Sequence, residues 1–153
     1  MAMPSLATQK LNQIKHCLSG YSFVRPSDFY QEKLHSGEIK KDSRQESVLE
    51  KLDELQHRLL SYRSFTKKLL RSFSGNHYIQ GLYLWGGVGI GKTFLMDCFY
   101  HTIPGSRKKR IHFHAFMEEV QLELNKFSGK KNPLHFVAKN IKKQIDVLCF
   151  DEF

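Results

Sequence analysis

Gly86-Gly87-Val88-Gly89-Ile90-Gly91-Lys92-Thr93 fits the pattern G-x-x-x-x-G-K-[ST] of a P-loop at every constrained position. A triphosphate carries dense negative charge and many acceptor oxygens. A loop that wraps it must bring backbone N–H groups close, which requires the φ/ψ freedom and the missing Cβ of glycine. Gly86, Gly87, Gly89 and Gly91 supply that freedom, with Val88 and Ile90 completing the cradle. Lys92 is spaced to reach the β- and γ-phosphates of ATP, and the Thr93 hydroxyl to ligate Mg²⁺. The flanks agree. Residues 81–85, Gly-Leu-Tyr-Leu-Trp, read as a short buried strand. From Lys92 to residue 102 neither Gly nor Pro interrupts, so a helix is expected whose N-terminal dipole and free N–H groups face the phosphates.

A second stretch lies one strand–helix unit further on. Residues 145–150, Ile-Asp-Val-Leu-Cys-Phe, are mostly apolar and β-favouring, and Asp151-Glu152 follows. In P-loop ATPases an Asp at a buried strand end holds Mg²⁺, usually through water, because Mg²⁺ keeps several waters. A Glu directly after it can orient and deprotonate the attacking water. Asp151 is therefore the metal candidate and Glu152 the catalytic candidate. The competing reading is a strand cap whose acids simply face water.

The chain has 153 residues, 41% of them hydrophobic, and a formal net charge of +9. That is one domain's length, with enough apolar content for a core. The basic excess makes anionic partners plausible. Cys17, Cys98 and Cys149 are isolated, so neither zinc nor a disulfide framework is supported; Cys98 and Cys149 read as buried thiols of a reducing compartment. No apolar run approaches the about 18 residues of a membrane span. The first 25 residues lack the compact apolar segment of a secretory signal. The first acidic residue of the chain is Asp28, after Lys10, Lys15 and Arg25, so a mitochondrial leader stands as the alternative to a cytoplasmic location.

Along the chain, residues 1–41 form a mixed arm with a short helix over 28–34 that ends near Gly37. Residues 42–73 carry a long helical pattern in which Val48, Leu49, Leu52, Leu55, Leu59, Leu60, Phe65, Leu69 and Leu70 recur at three- and four-residue steps. Asp42 or Ser43 is its expected cap, and packing on the sheet is preferred to partner binding. Ser74-Gly75-Asn76 closes that segment, and Pro104-Gly105 marks a turn. Residues 110–115 alternate as a strand, residues 116–127 form an amphipathic helix, and Asn132-Pro133 opens another through about Gln144. The order β-α-β-α-α-β argues for an α/β fold, a parallel sheet with flanking helices.

His112 and His114, two apart on a strand, would share a face; no third ligand is placed, so ordinary strand residues are the preferred reading over a metal pair. Arg107-Lys108-Lys109-Arg110 is a charge run that either contacts nucleic acid or anionic lipid or, preferably, lies in a solvated connecting loop. No stacking aromatics are interleaved with it as in a single-strand-binding module, so nucleic acid is not favoured.

Residues 81–93, followed by Leu95-Met96-Asp97, resemble the ZapE/Afg-type ATPases, AAA+-like P-loop proteins of bacteria and mitochondria. Residues 110–117, Arg-Ile-His-Phe-His-Ala-Phe-Met, resemble that family's basic-His-Phe-His segment. Residues 146–153 resemble its Walker B string, and Asn132-Pro133-Leu134 its Pro-Leu helix start. Asp42 and Gln45 resemble an Asp-x-x-Gln element ahead of the first long helix. One departure is Ile90, where the family commonly carries Arg.

The resemblance implies an AAA+-like P-loop NTPase preceded by a helical segment: an arm over 1–41 and an incomplete ATPase domain over 42–153, with Walker A at 86–93 and Walker B at 147–152. It implies ATP phosphates at Gly86 to Thr93, Mg²⁺ at Thr93 and Asp151, and Glu152 as catalytic base. It further implies a homo-oligomer linked to the bacterial division ring, or to protein quality control at the mitochondrial inner membrane. Family members continue past Walker B into a polar sensor, an arginine finger and a C-terminal sensor region. The chain is thus expected to be a truncated N-terminal portion, a weak nucleotide binder at best without turnover alone. A non-hydrolysing module joining full-length subunits, or a nucleic-acid-linked protein such as a helicase loader, are the alternative expectations.

Overall fold

The computed structural model describes residues 23–63 and 78–152. Seven elements follow in order: α1 (Pro26–His35), α2 (Ser43–Arg63), α3 (Lys92–Thr102), β1 (Lys108–His112), α4 (Phe113–Lys126), α5 (Pro133–Gln144) and β2 (Val147–Asp151). The expectations for residues 1–22 and 64–77, including Cys17 and the distal part of the long helix, lie outside the described residues.

Local chemistry sets the helix starts. Pro26 occupies the first turn of α1, where its missing N–H costs nothing. Asp28 turns back to accept the Arg25 N–H at 3.0 Å. The next free donor, the Ser27 N–H, is satisfied from outside: Asp53 of α2 accepts it at 3.0 Å and the Ser27 hydroxyl at 2.5 Å. That locks α1 onto α2. Asp42 accepts the Arg44 N–H at 2.9 Å and so caps α2, as expected.

The core gathers Tyr30, Leu49, Leu52, Leu55, Leu95, Cys98, Phe99, Ile103, Val147 and Cys149. Helices α1, α2 and α3 pack on one another, and α3 lies against β2. The long amphipathic helix is therefore a packing element: three of its leucines are core. Gln56 is the one buried polar side chain of the described residues, and its amide donates to the carbonyls of Val24 and Thr102, each at 2.9 Å. It thereby satisfies a carbonyl at the end of α3 that has no helical partner.

The two strands are parallel, in register from Lys108↔Val147 to His112↔Asp151. Their connection through α4 and α5 is the expected crossover. Three expectations fail here. Residues 81–85 form no strand: they run without a ladder, with Tyr83 and Trp85 exposed. An apolar, aromatic-rich run becomes a strand only beside a free strand edge. Among the described residues β1 and β2 pair only with each other; residues 81–85 do not reach an outer edge of that pair, and a cavity of about 2330 Å³ is lined by both residues 81–85 and β2.

The strand expected over 110–115 lies over Lys108–His112, and α4 begins at Phe113 rather than 116. The ladder ends where β2 ends, at the His112↔Asp151 pair. Beyond it, helical spacing brings Phe113 and Phe116 onto one face, where both rings meet Phe150 edge-on at 5.7 and 5.0 Å. His112 and His114 consequently sit on different elements, which removes the shared strand face on which a metal pair was considered.

The basic run is not a loop from Lys108 onward: Lys108 to Arg110 lie in β1, and only Arg107 precedes it. Lys108 donates to the carbonyls of Tyr100 and Ile103 at 2.5 and 2.7 Å, closing the C-terminus of α3. Lys109 pairs with Glu119 at 2.5 Å, Arg107 with Asp146 at 2.9 Å, and Arg110 with two aspartates described below.

Candidate functional site

Residues 86–91 turn from the extended segment into α3. Gly91 has φ +83, and a Cβ there would collide with the amide nitrogen of Gln45. It is a glycine for two reasons, a left-handed backbone and a close neighbour. Gly86 has φ +143, and a Cβ there would strike the Ile90 side chain. Ile90 thus folds back over the start of the loop, and its carbonyl accepts the Gln45 amide at 3.0 Å. Gln45, on the first turn of α2, clamps the loop from below. In the sequence Gln45 belongs to the first turn of the long helix and to an Asp-x-x-Gln likeness; nothing in the spacing ties it to a loop 45 residues on.

Helix α3 carries no acidic residue in its first turn, so its dipole is not opposed there. Its first intrahelical bond runs from the Leu95 N–H to the Gly91 carbonyl at 2.9 Å, and the N–H groups of Lys92, Thr93 and Phe94 precede it. The Lys92 ammonium donates to the carbonyls of Gly86 and Gly87 at 3.0 and 2.8 Å, which holds it across the loop. Thr93 is exposed.

The acidic pair lies across the same cavity. Its lining includes Gly86, Val88, Gly89, Gly91, Lys92 and Thr93 together with Asp151 and Glu152. Gly87 and Ile90 belong to the loop but not to that lining. The two acids differ sharply. The Asp151 side chain is 13% exposed, whereas that of Glu152 is 87% exposed. Glu152 has φ +52, so the chain turns sharply as it leaves β2, and its carboxylate comes within 3.8 Å of His112 Nδ1.

Asp151 is held by Arg110 of β1. The guanidinium donates from Nε at 2.7 Å and approaches through a terminal nitrogen at 2.6 Å, both to Oδ2. Its other terminal nitrogen binds Asp97 Oδ1. Asp97 stands one turn after Thr93 on α3, which puts the two on one helix face. Partial burial opposes the Arg110 charge; the hydrogen bond to Asp151 and the charges of Asp97 and Asp151 outweigh it, and its pKa is raised. Arg110 was assigned no role from the sequence. The signal is tertiary: it pairs in register with Cys149, two residues before Asp151.

The donor set fits a magnesium–phosphate group. Gly86, Gly89 and Gly91 hold positive-φ turns of the loop, N–H groups begin a helix, and the Thr93 hydroxyl shares a cavity with the Asp151 and Glu152 carboxylates. Among the described residues no three His, Cys, Asp or Glu are grouped to hold a metal by themselves. That suits an ion taken up with phosphate oxygens and water rather than in an all-protein cage. No described helix is long and apolar enough to cross a membrane.

The family model of the AFG1-like ATPases matches residues 24–153. Cell division protein ZapE of Escherichia coli (strain K12) is 56% identical over 75 residues, 49% of this chain and 20% of the relative. An uncharacterized protein of Schizosaccharomyces pombe is 30% identical over 162 residues, covering 83% of this chain and 36% of its own length. Lactation elevated protein 1 homolog B of Danio rerio is 41% identical over 88 residues, 50% of this chain and 18% of the relative. The chain therefore spans well under half the length of each of these relatives. No solved structure matches it.

Proposed function

This chain belongs to the AFG1-like ATPases, and from that premise we propose that its P-loop and β2 end form the phosphate and metal side of an ATP site. The observation that carries this reading is the shared cavity: Lys92 and Thr93 at the start of α3 face the same space as Asp151 and Glu152. Gly86, Gly87, Val88, Gly89, Ile90 and Gly91 form the loop around the phosphates, whose oxygens meet the N–H groups at the start of α3. Lys92 exchanges its two loop carbonyls for β- and γ-phosphate oxygens. Thr93 and Asp151 would hold Mg²⁺. Bound Mg²⁺ supplies charge neutralisation at those oxygens. Glu152, exposed beside the cavity, takes the proton from the attacking water. Hydrolysis of ATP, assembly into an oligomer and work in the cytoplasm at cell division are proposed for the whole polypeptide; the name of the Escherichia coli relative supports the last. The division into an arm over 1–41 and an ATPase domain over 42–153 is part of the same reading, with α1 of the arm docked on α2 and α3.

The test is titration of a fluorescent ATP analogue into the 153-residue chain with Mg²⁺. Lys92→Ala is expected to weaken binding about 10–100-fold, as loss of hydrogen bonds worth roughly 1.5–3 kcal/mol to charged groups would. Equal binding by the variant and the parent chain sinks the assignment.

A further inference from the structure

Arg110 joins three elements at one point. It stands on β1, its two contacts to Asp151 reach β2, and its contact to Asp97 reaches α3. All three side chains are substantially withdrawn from water, Asp151 most of all. Two carboxylates share one guanidinium, so the group is charge-deficient by one and each carboxylate needs the same partner. A guanidinium suits this because its planar fork fixes direction as well as charge. Both contacts to Asp151 go to Oδ2, which leaves Oδ1 outside the clamp. Asp97 in turn shares a helix face with Thr93, so the clamp ties the hydroxyl and the carboxylate of the proposed metal site into one frame.

We propose that Arg110 is a positioning residue for Asp151, braced by Asp97, so that Oδ1 is presented in a fixed direction to the hydration shell of the metal. The proposal rests on the ATP-site reading above. Charge and position make opposite predictions here. As a mere positive charge beside Asp151, Arg110 would repel Mg²⁺, and its removal would tighten metal binding. As a positioning group its removal loosens the carboxylate and weakens metal binding, on the scale of the 10–100-fold losses typical of outer-shell partners.

The experiment titrates Mg²⁺ into the chain with a fluorescent ATP analogue present, for the parent, Arg110→Gln, Arg110→Lys and Asp97→Asn, with a parallel series in EDTA. Circular dichroism and a thermal melt establish that each variant is folded. The half-saturating Mg²⁺ concentration is expected to rise about tenfold or more in Arg110→Gln. Arg110→Lys, which keeps the charge and loses the fork, is expected to recover little of that loss. Asp97→Asn, which removes only the brace, should shift it about threefold in the same direction and gives the reading if the Arg110 variants do not fold. Metal-free binding in EDTA should stay within about twofold of the parent throughout, since the loop N–H groups and Lys92 are untouched. An unchanged or lowered Mg²⁺ requirement in the folded variants overturns the positioning role alone. Failure of the parent chain to bind the analogue overturns the ATP-site reading and this inference with it.

Discussion

Residues 81–85 and residues 147–151 are five-residue runs of the same kind, short, largely apolar and β-favouring, yet only the second is a strand. β2 lies in register with β1 along its whole length, and Val147 and Cys149 are among the core residues. The earlier run has no ladder; Trp85 is 81% exposed, and only Leu84 packs partly against the core. Propensity is alike in the two. What differs is a neighbouring edge with free N–H and C=O groups, which supplies the hydrogen bonds that extended backbone lacks by itself. A strand is a property of a pair, so the hydrophobic pattern of one partner announces a candidate and no more.

The comparison is broken hardest on the β2 side. Val147→Asp places an unpaired carboxylate in the core beside α3 and is expected to cost about 3 kcal/mol or more, seen as loss of the cooperative melt; a melt close to the parent's would show that β2 is not a core strand.

Thiol chemistry separates the two regions next. Burial pushes the Cys149 thiol up to about 11 and the Cys98 thiol up to about 12, so neither is a thiolate at neutral pH. A thiol introduced on the exposed run by Tyr83→Cys is expected to alkylate at pH 8 about 100-fold faster than Cys149 in the same chain, read by mass spectrometry of peptides. Comparable rates would contradict the burial of β2. The same shifts set a pH window. Both folded values lie above the ordinary thiol value of about 9, so the stability they reflect is complete below pH 9. It is lost as pH rises toward 11 and 12, and melts at rising pH should fall fastest there.

Smaller effects grade the exposed run itself. Leu84→Ala, which removes its partly buried contact, should cost about 1 kcal/mol in a denaturant titration. Trp85→Ala should stay within about 0.5 kcal/mol, as exposed substitutions usually do. A large loss at Trp85 would mean that this segment carries core packing after all.

Helix boundaries were legible at Pro133 in a first turn, at Asp42 as a cap and at the Gly37 turn, all written in neighbouring residues. The first helix was expected from Asp28 and begins at Pro26, a first-turn proline left out of that expectation. The start of α4 was not legible, because residues 113–115 alternate well enough for a strand and turn helical only where β2 runs out of partners. The basic run misled for a related reason. Four adjacent cations look solvated, yet three of them lie in β1, where side chains alternate between faces, and each of the four meets its own acid or carbonyl.

The candidate site divides the same way. The chemistry of the loop could be read in order, since glycine geometry, a following helix start and the Lys92 and Thr93 side chains act through adjacent backbone. Even Asp151-Glu152 was visible as a strand end. What only the tertiary structure decided is who supports these groups. Gln45 reaches the loop from the first turn of α2, and Arg110 reaches Asp151 across a parallel ladder while Asp97 braces it from α3. Those partners lie 45, 41 and 13 residues apart in the chain, so no periodicity relates them. Backbone conformation is set over a few residues and is therefore local information; the pairing of charges and of strand edges depends on which elements meet, and only the packed core brings them together.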